Sequence, residues 1–160
     1  MHLVGRFFGS LSPRPLDRRD AAWVEEILGP GELALWERMS KPDRKHAAGV
    51  ARAVDRMLGG ADRPVLAAAL LHDVGKIASG FGTFRRVCAT IFAAVVGRER
   101  ATRGERTGAY LRHDEIGAVL LEEAGSDPLT IAWAREHHLP VAKRTVPVQV
   151  AEALEAADDD

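Results

Sequence analysis

Val65-Leu66-Ala67-Ala68-Ala69-Leu70-Leu71-His72-Asp73-Val74-Gly75-Lys76 is the stretch that decides the fold of this chain. Seven apolar residues in a row predict a helix with no polar face, and such a helix has to be buried. Asp62-Arg63-Pro64 opens it, with proline in the first turn, where its missing N–H has no helical partner to lose. The segment then runs straight into a histidine and an aspartate and breaks at Gly75. Inside a helix, adjacent side chains point to different sides. At a helix end that unwinds at a glycine, His72 and Asp73 can turn toward one point.

Outward from this stretch, helical periodicity repeats in both directions. Asp17 or Asp20 caps a helix carrying Trp23, Val24, Ile27 and Leu28, which Gly29-Pro30 stops. A short helix runs from Gly31 to Ser40. Asp43 caps a longer one with the stripe Ala47, Val50, Ala51, Val54, Met57 and Leu58, ended by Gly59-Gly60. Downstream, Phe84, Val87, Cys88, Ile91, Phe92, Val95 and Val96 form an amphipathic helix over 84–96, and the arginine-rich stretch 98–106 follows as a connection. Further helices run from about Thr107 to Ala124, from Asp127-Pro128 to His137-His138, and from near Pro147 to the C-terminal edge. No alternating strand pattern of any length occurs. The expectation is an all-α, compact single-domain bundle of about seven or eight helices, with an N-terminal arm over 1–16 and the domain over 17–160.

Five of the six histidines fall on this scaffold in an ordered series: His46, His72 next to Asp73, His113 and the pair His137-His138, with Asp158 last. Histidine and carboxylate together bind a divalent ion without sulfur. His46 comes from the long helix before the apolar one, and Asp158 from the last helix completes a first site. His113, His137 and His138 supply a second site beside it. Asp73 offers one oxygen to each. Two ions so held would activate water and clamp a phosphoryl oxygen. Lys76, one turn past Asp73, meets a phosphate as a point charge, and Arg44 beside His46 is a second candidate for substrate phosphate. Seven buried His and Asp side chains in a purely structural protein would carry desolvation costs with nothing to offset them.

Composition sets the limits. At 160 residues and 46% apolar, the chain is long enough for one domain with a real core. A net charge of −1 points to no nucleic acid polymer as partner. The single Cys88 excludes a disulfide framework and a thiolate zinc site. No apolar run approaches the ~20 residues of a transmembrane helix, and no secretory signal is visible, so a cytoplasmic protein is expected. The seven arginines between Arg85 and Arg112 face only Glu99 and Glu105. They read as a solvated loop after a core or dimer-facing helix; the other readings are a rim for an anionic substrate and contact with a membrane surface beside the helix that carries Phe84, Ile91 and Phe92.

Leu70-Leu71-His72-Asp73-Val74-Gly75-Lys76, with His46 upstream and His113, His137-His138 and Ala157-Asp158 downstream in order, resembles the HD-domain metal-dependent phosphohydrolase superfamily over residues 43–158. The resemblance implies His46, His72, Asp73 and Asp158 as first-metal ligands, and His113, His137 and His138 as the extra ligands of the two-metal branch. It implies one or two divalent ions (iron, manganese, nickel, cobalt, magnesium or zinc) and hydrolysis of a small phosphate ester or a cyclic or linear nucleotide. A non-hydrolysing metal and nucleotide sensor and a di-iron oxygenase are the alternatives within the same superfamily. One branch carries a Gly-Tyr-Pro motif after the paired histidines. Leu139-Pro140-Val141 stands there instead, so cyclic-di-GMP hydrolysis is not expected.

Overall fold

The computed structural model of the chain describes residues 16–79 and 113–159. Among these residues are seven α-helices, two short 3-10 turns and no strand. They are α1 (Arg18–Ile27), α2 (Pro30–Arg38), α3 (Lys41–Leu58), α4 (Arg63–Leu71), α5 (His113–Glu123), α6 (Pro128–Glu136) and α7 (Val148–Asp159). The 3-10 turns are Val74–Ser79 and Val141–Lys143. Most of the expected arm, the amphipathic helix over 84–96, the arginine-rich stretch over 98–106 and the first residues expected of α5 lie outside the described residues.

The apolar stretch is the axis of the bundle. Every residue of Val65–Leu71 is buried, and Ala68 to Leu71 have no exposed surface at all. α3 and α6 pack along α4, while α1 and α2 touch it more lightly. α7 lies on α3, and α5 lies on both α6 and the 3-10 turn that follows Asp73. The three helices α3, α5 and α6, which carry the remaining described histidines, are therefore brought against α4 and the turn that follows it. Burying its four leucine and valine side chains, Val65, Leu66, Leu70 and Leu71, contributes about 1.5–3 kcal/mol each.

The helix ends follow side-chain chemistry more closely than spacing suggests. Asp17 caps α1 by accepting from the Asp20 N–H at 2.8 Å. Gly29-Pro30 does stop α1, but it also starts α2: Pro30 is its first residue, and the Glu32 carboxylate accepts from the Gly29 N–H at 2.9 Å. The cap of α3 is Ser40, not Asp43. Its Oγ accepts from the Asp43 N–H, and Asp43 sits inside the first turn, where a carboxylate also favours the helix dipole. Gly59, at φ +67°, closes α3 in the left-handed conformation that glycine adopts freely.

Gly75 does a different job from the one its position suggests. It has no positive φ, and the chain tightens from α4 into the 3-10 turn instead of unwinding at a left-handed residue. Its hydrogen-for-methyl economy is used for close approach. A Cβ at Gly75 would sit 1.9 Å from the His113 carbonyl oxygen and 2.7 Å from the Gly117 nitrogen. The first turn of α5 thus lies directly on the backbone that follows Asp73, and only glycine permits it.

Gly75→Ala is therefore expected to destabilise the protein by about 3 kcal/mol or more, as overpacking against backbone does. Gly49→Ala is the control: it is exposed within α3 with nothing within 4 Å of an added Cβ, and it should stabilise by about 0.5–1 kcal/mol. Urea unfolding of the two variants checks both; equal effects would contradict the close-approach account.

Candidate metal centre

The seven side chains singled out by the sequence converge at the C-terminal end of α4. His46 comes from α3, His72 and Asp73 from the end of α4, His113 from the first residue of α5, His137-His138 from the end of α6 and Asp158 from the last turn of α7. Their rings form an unbroken chain. His46 and His72 have centroids 6.0 Å apart, His72 and His137 5.5 Å, His137 and His138 3.9 Å, and His113 and His138 5.6 Å.

The donors fall into two groups. His46, His72 and Asp158 form one; His113, Asp114, His137 and His138 form the other, and within each group one donor atom per residue lies within 4.8 Å of the rest. Asp73 sits between them. Its Oδ1 is 3.3 Å from His113 Nε2, and its Oδ2 is 3.6 Å from His72 Nε2. Each carboxylate oxygen therefore faces a different group. In the first group, Asp158 Oδ1 is 2.8 Å from His46 Nε2 and 3.6 Å from His72 Nε2. That contact ties down the final turn of α7, close to the C-terminus.

The backbone decides which ring nitrogens are available. His72 Nδ1 donates to the Ala69 carbonyl at 2.9 Å, and His137 Nδ1 donates to the carbonyls of Trp133 and Ala134 at 3.2 and 3.1 Å. A carbonyl only accepts, so Nδ1 carries the proton and the neutral ring presents a bare lone pair at Nε2. His72 Nε2 then faces two carboxylate oxygens, and His137 Nε2 is buried with no hydrogen-bond partner. Lone pairs and carboxylates turned on one another call for a cation, and this donor set fits a divalent ion.

Charge shifts follow from the same geometry. Burial alone would raise the Asp73 carboxyl, but Lys76, His72 and His113 outweigh it and hold it well below the usual carboxylate range. Burial likewise opposes ionisation of Asp158, yet His46 and His72 lower it to about 2. Burial works against the His113 imidazolium too, but the Asp114 and Asp73 carboxylates raise it to about 9. His137 goes the other way: burial and the neighbouring His72 and His138 lower it to about 4, which keeps it neutral and able to ligate.

Other residues hold the frame. Lys76 forms an ion pair with Asp73 Oδ2 across one turn, so its charge is delivered to the centre and is shared with that carboxylate. Glu136 serves the loop. It is buried and accepts from the Thr145 N–H and hydroxyl, fastening the loop after α6. Arg144 donates to the carbonyls of His137 and Leu139 at 3.2 and 2.9 Å while pairing with Glu155 on α7. It thereby caps the end of α6 where the paired histidines sit. Arg44 is not brought to the centre. It lines a groove with Leu16, Glu25, Trp36 and Glu37, which contains none of the seven residues.

Asp114 is the member of the cluster that spacing alone did not single out. It follows His113 directly, and on a helix adjacent residues ordinarily diverge. The signal available was its place directly beside His113, one of the ordered histidines, which brings a short carboxylate within reach of the same donors.

A family model described as Cas3, HD domain, matches residues 32–157. No curated protein matches the chain, and no solved structure matches it.

The metal-free protein should be most stable near pH 6.5. His137, with its folded pKa depressed, makes the unfolded state the better proton binder between about 4 and 6.5, so stability falls on acidification there. His113, with its folded pKa raised, contributes stability that is fully present below 6.5 and lost as pH rises through about 9. Denaturant unfolding from pH 4 to 10 in chelator reads this. In His113→Ala the alkaline decline should vanish; a wild-type profile flat from pH 6.5 to 9 would contradict the assignment.

Proposed function

The chain belongs to the Cas3 HD-domain family, and from that membership we propose that it hydrolyses phosphodiester bonds of a nucleic-acid strand with divalent ions held at the two donor groups. The observation that carries the reading is the convergence of His46, His72, Asp73, His113, His137, His138 and Asp158 around one carboxylate that faces both groups. HD domains bind divalent metals and are generally metal-dependent hydrolases. When bound, such ions polarise a phosphoryl oxygen and lower the pKa of water.

The chain's own residues would supply position and charge. Asp73, anionic well below neutral pH, accepts a hydrogen bond from the attacking water and so directs the water oxygen's lone pair toward phosphorus. Lys76 stands beside it as a positive charge for the negative charge that develops on phosphate as the ester P–O bond breaks. His72 and His137, buried and fixed by backbone carbonyls, hold their Nε2 atoms in place on either side of Asp73. His46 and His138, with side chains 40% and 57% exposed, leave its two ends open among the described residues.

The substrate class rests on the family and on that openness. The matched family is of nuclease type, and a centre open at both ends suits a strand lying across it. The net charge of −1 argued against a polymer partner, and a small phosphate ester or nucleotide is the other substrate that the same chemistry serves. A strand cleaved at an end or a single-stranded stretch needs only local cationic charge, so the overall charge does not exclude it.

The test is hydrolysis by metal-loaded protein of labelled single-stranded DNA and RNA, cyclic nucleotides and a phosphomonoester, each with manganese, nickel, cobalt, iron, magnesium or zinc. Cleavage of a single strand that stops in chelator is expected, with Asp73→Asn lowering the rate by about 100-fold or more. Turnover of nucleotides alone would move the reading to a small substrate; binding of nucleotide or strand with no turnover under any metal would contradict a hydrolase.

A further inference from the structure

We propose that Asp114 is a metal ligand of the second donor group, giving that group a carboxylate of its own in addition to its share of Asp73. The inference rests on the metal-dependent reading above and goes beyond it by one residue.

Asp114 Oδ1 is 2.9 Å from His113 Nε2, 3.8 Å from His137 Nε2 and 4.0 Å from His138 Nε2. Donors around a divalent ion at ~2.1 Å are separated by roughly 3.0–3.4 Å in octahedral or tetrahedral shells, so these spacings bracket a coordination polyhedron. The simpler role, an ion-pair partner for His113 alone, leaves two facts unexplained. The first is that Oδ1 is buried and, despite the 2.9 Å approach, makes no hydrogen bond of proper geometry. The second is His137. Its proton is committed at Nδ1 to the Trp133 and Ala134 carbonyls, so its Nε2 turns a lone pair toward Asp114. A lone pair aimed at a buried carboxylate is repulsive unless a cation lies between them.

Each group then has one carboxylate of its own, beside two histidines in the first and three in the second. Asp158 is the private carboxylate of the first, Asp114 of the second, and Asp73 is common to both. Loss of Asp114 should weaken one ion selectively, whereas loss of Asp73 should weaken both.

The experiment is cobalt binding to metal-stripped full-length chain, followed by titration calorimetry and by the visible absorption of the bound ion, with elemental analysis for stoichiometry. Wild type should take up two ions. Asp114→Ala and Asp114→Asn should retain one with wild-type affinity and bind the other at least tenfold more weakly, while Asp158→Ala should lose the opposite ion, leaving a different absorption spectrum. If Asp114→Ala fails to fold, judged by circular dichroism of the metal-free protein, the isosteric Asp114→Asn decides. Two ions bound to the Asp114 variants as tightly as to wild type would overturn the assignment of Asp114 and leave the metal reading intact. A wild type that binds no ion would overturn the metal reading itself.

Discussion

An aspartate stands where a helix least favours one. Asp73 lies at the C-terminal end of α4, the negative end of the helix dipole, and that helix is buried on every side. A carboxylate there carries both a desolvation cost and an unfavourable field, so its neighbours have to be positive or able to hold a positive ion. Lys76, His72 and His113 answer that need within the chain. The rest of the structure can be read as the scaffold that brings them there: Gly75 lets α5 lie against the turn, α6 delivers His137-His138, and α3 with α7 closes the other side through His46 and Asp158.

The axis of the fold was legible because α4 is apolar on all faces, a pattern with only one soluble solution. The metal-type residues were legible because histidine and aspartate recurred at helix ends, where side chains from different helices can meet. What escaped the pattern depended on three-dimensional detail. Gly75 looks like a helix breaker in sequence, yet its role is set by a backbone carbonyl 1.9 Å from where a Cβ would be. Ser40 displaced Asp43 as a cap because Pro42 is tolerated inside the first turn of α3. Arg44 and His46 are two residues apart and so diverge on the helix, which puts Arg44 in a separate groove. Asp114 was hidden by its adjacency to His113.

Membership of the Cas3 HD-domain family and the donor geometry support one chemistry from independent directions. Tautomer control gives the geometry its force. Backbone carbonyls consume the Nδ1 protons of His72 and His137, and two carboxylates confront the lone pairs so exposed. Imidazole lone pairs and carboxylates packed this closely are the arrangement with which a protein binds a divalent ion. Burial is deepest at His72, 3% exposed, and falls off toward His46 and His138, with side chains 40% and 57% exposed, so ions would be held deep while both ends stay open among the described residues.

The central claim, that one carboxylate divides two cation-binding groups, is tested most directly by anomalous scattering from crystals soaked in manganese. The account predicts two peaks, one among His46, His72 and Asp158 and one among His113, Asp114, His137 and His138, with an oxygen of Asp73 directed at each. Density at neither group, or a peak that Asp73 does not touch, would contradict it.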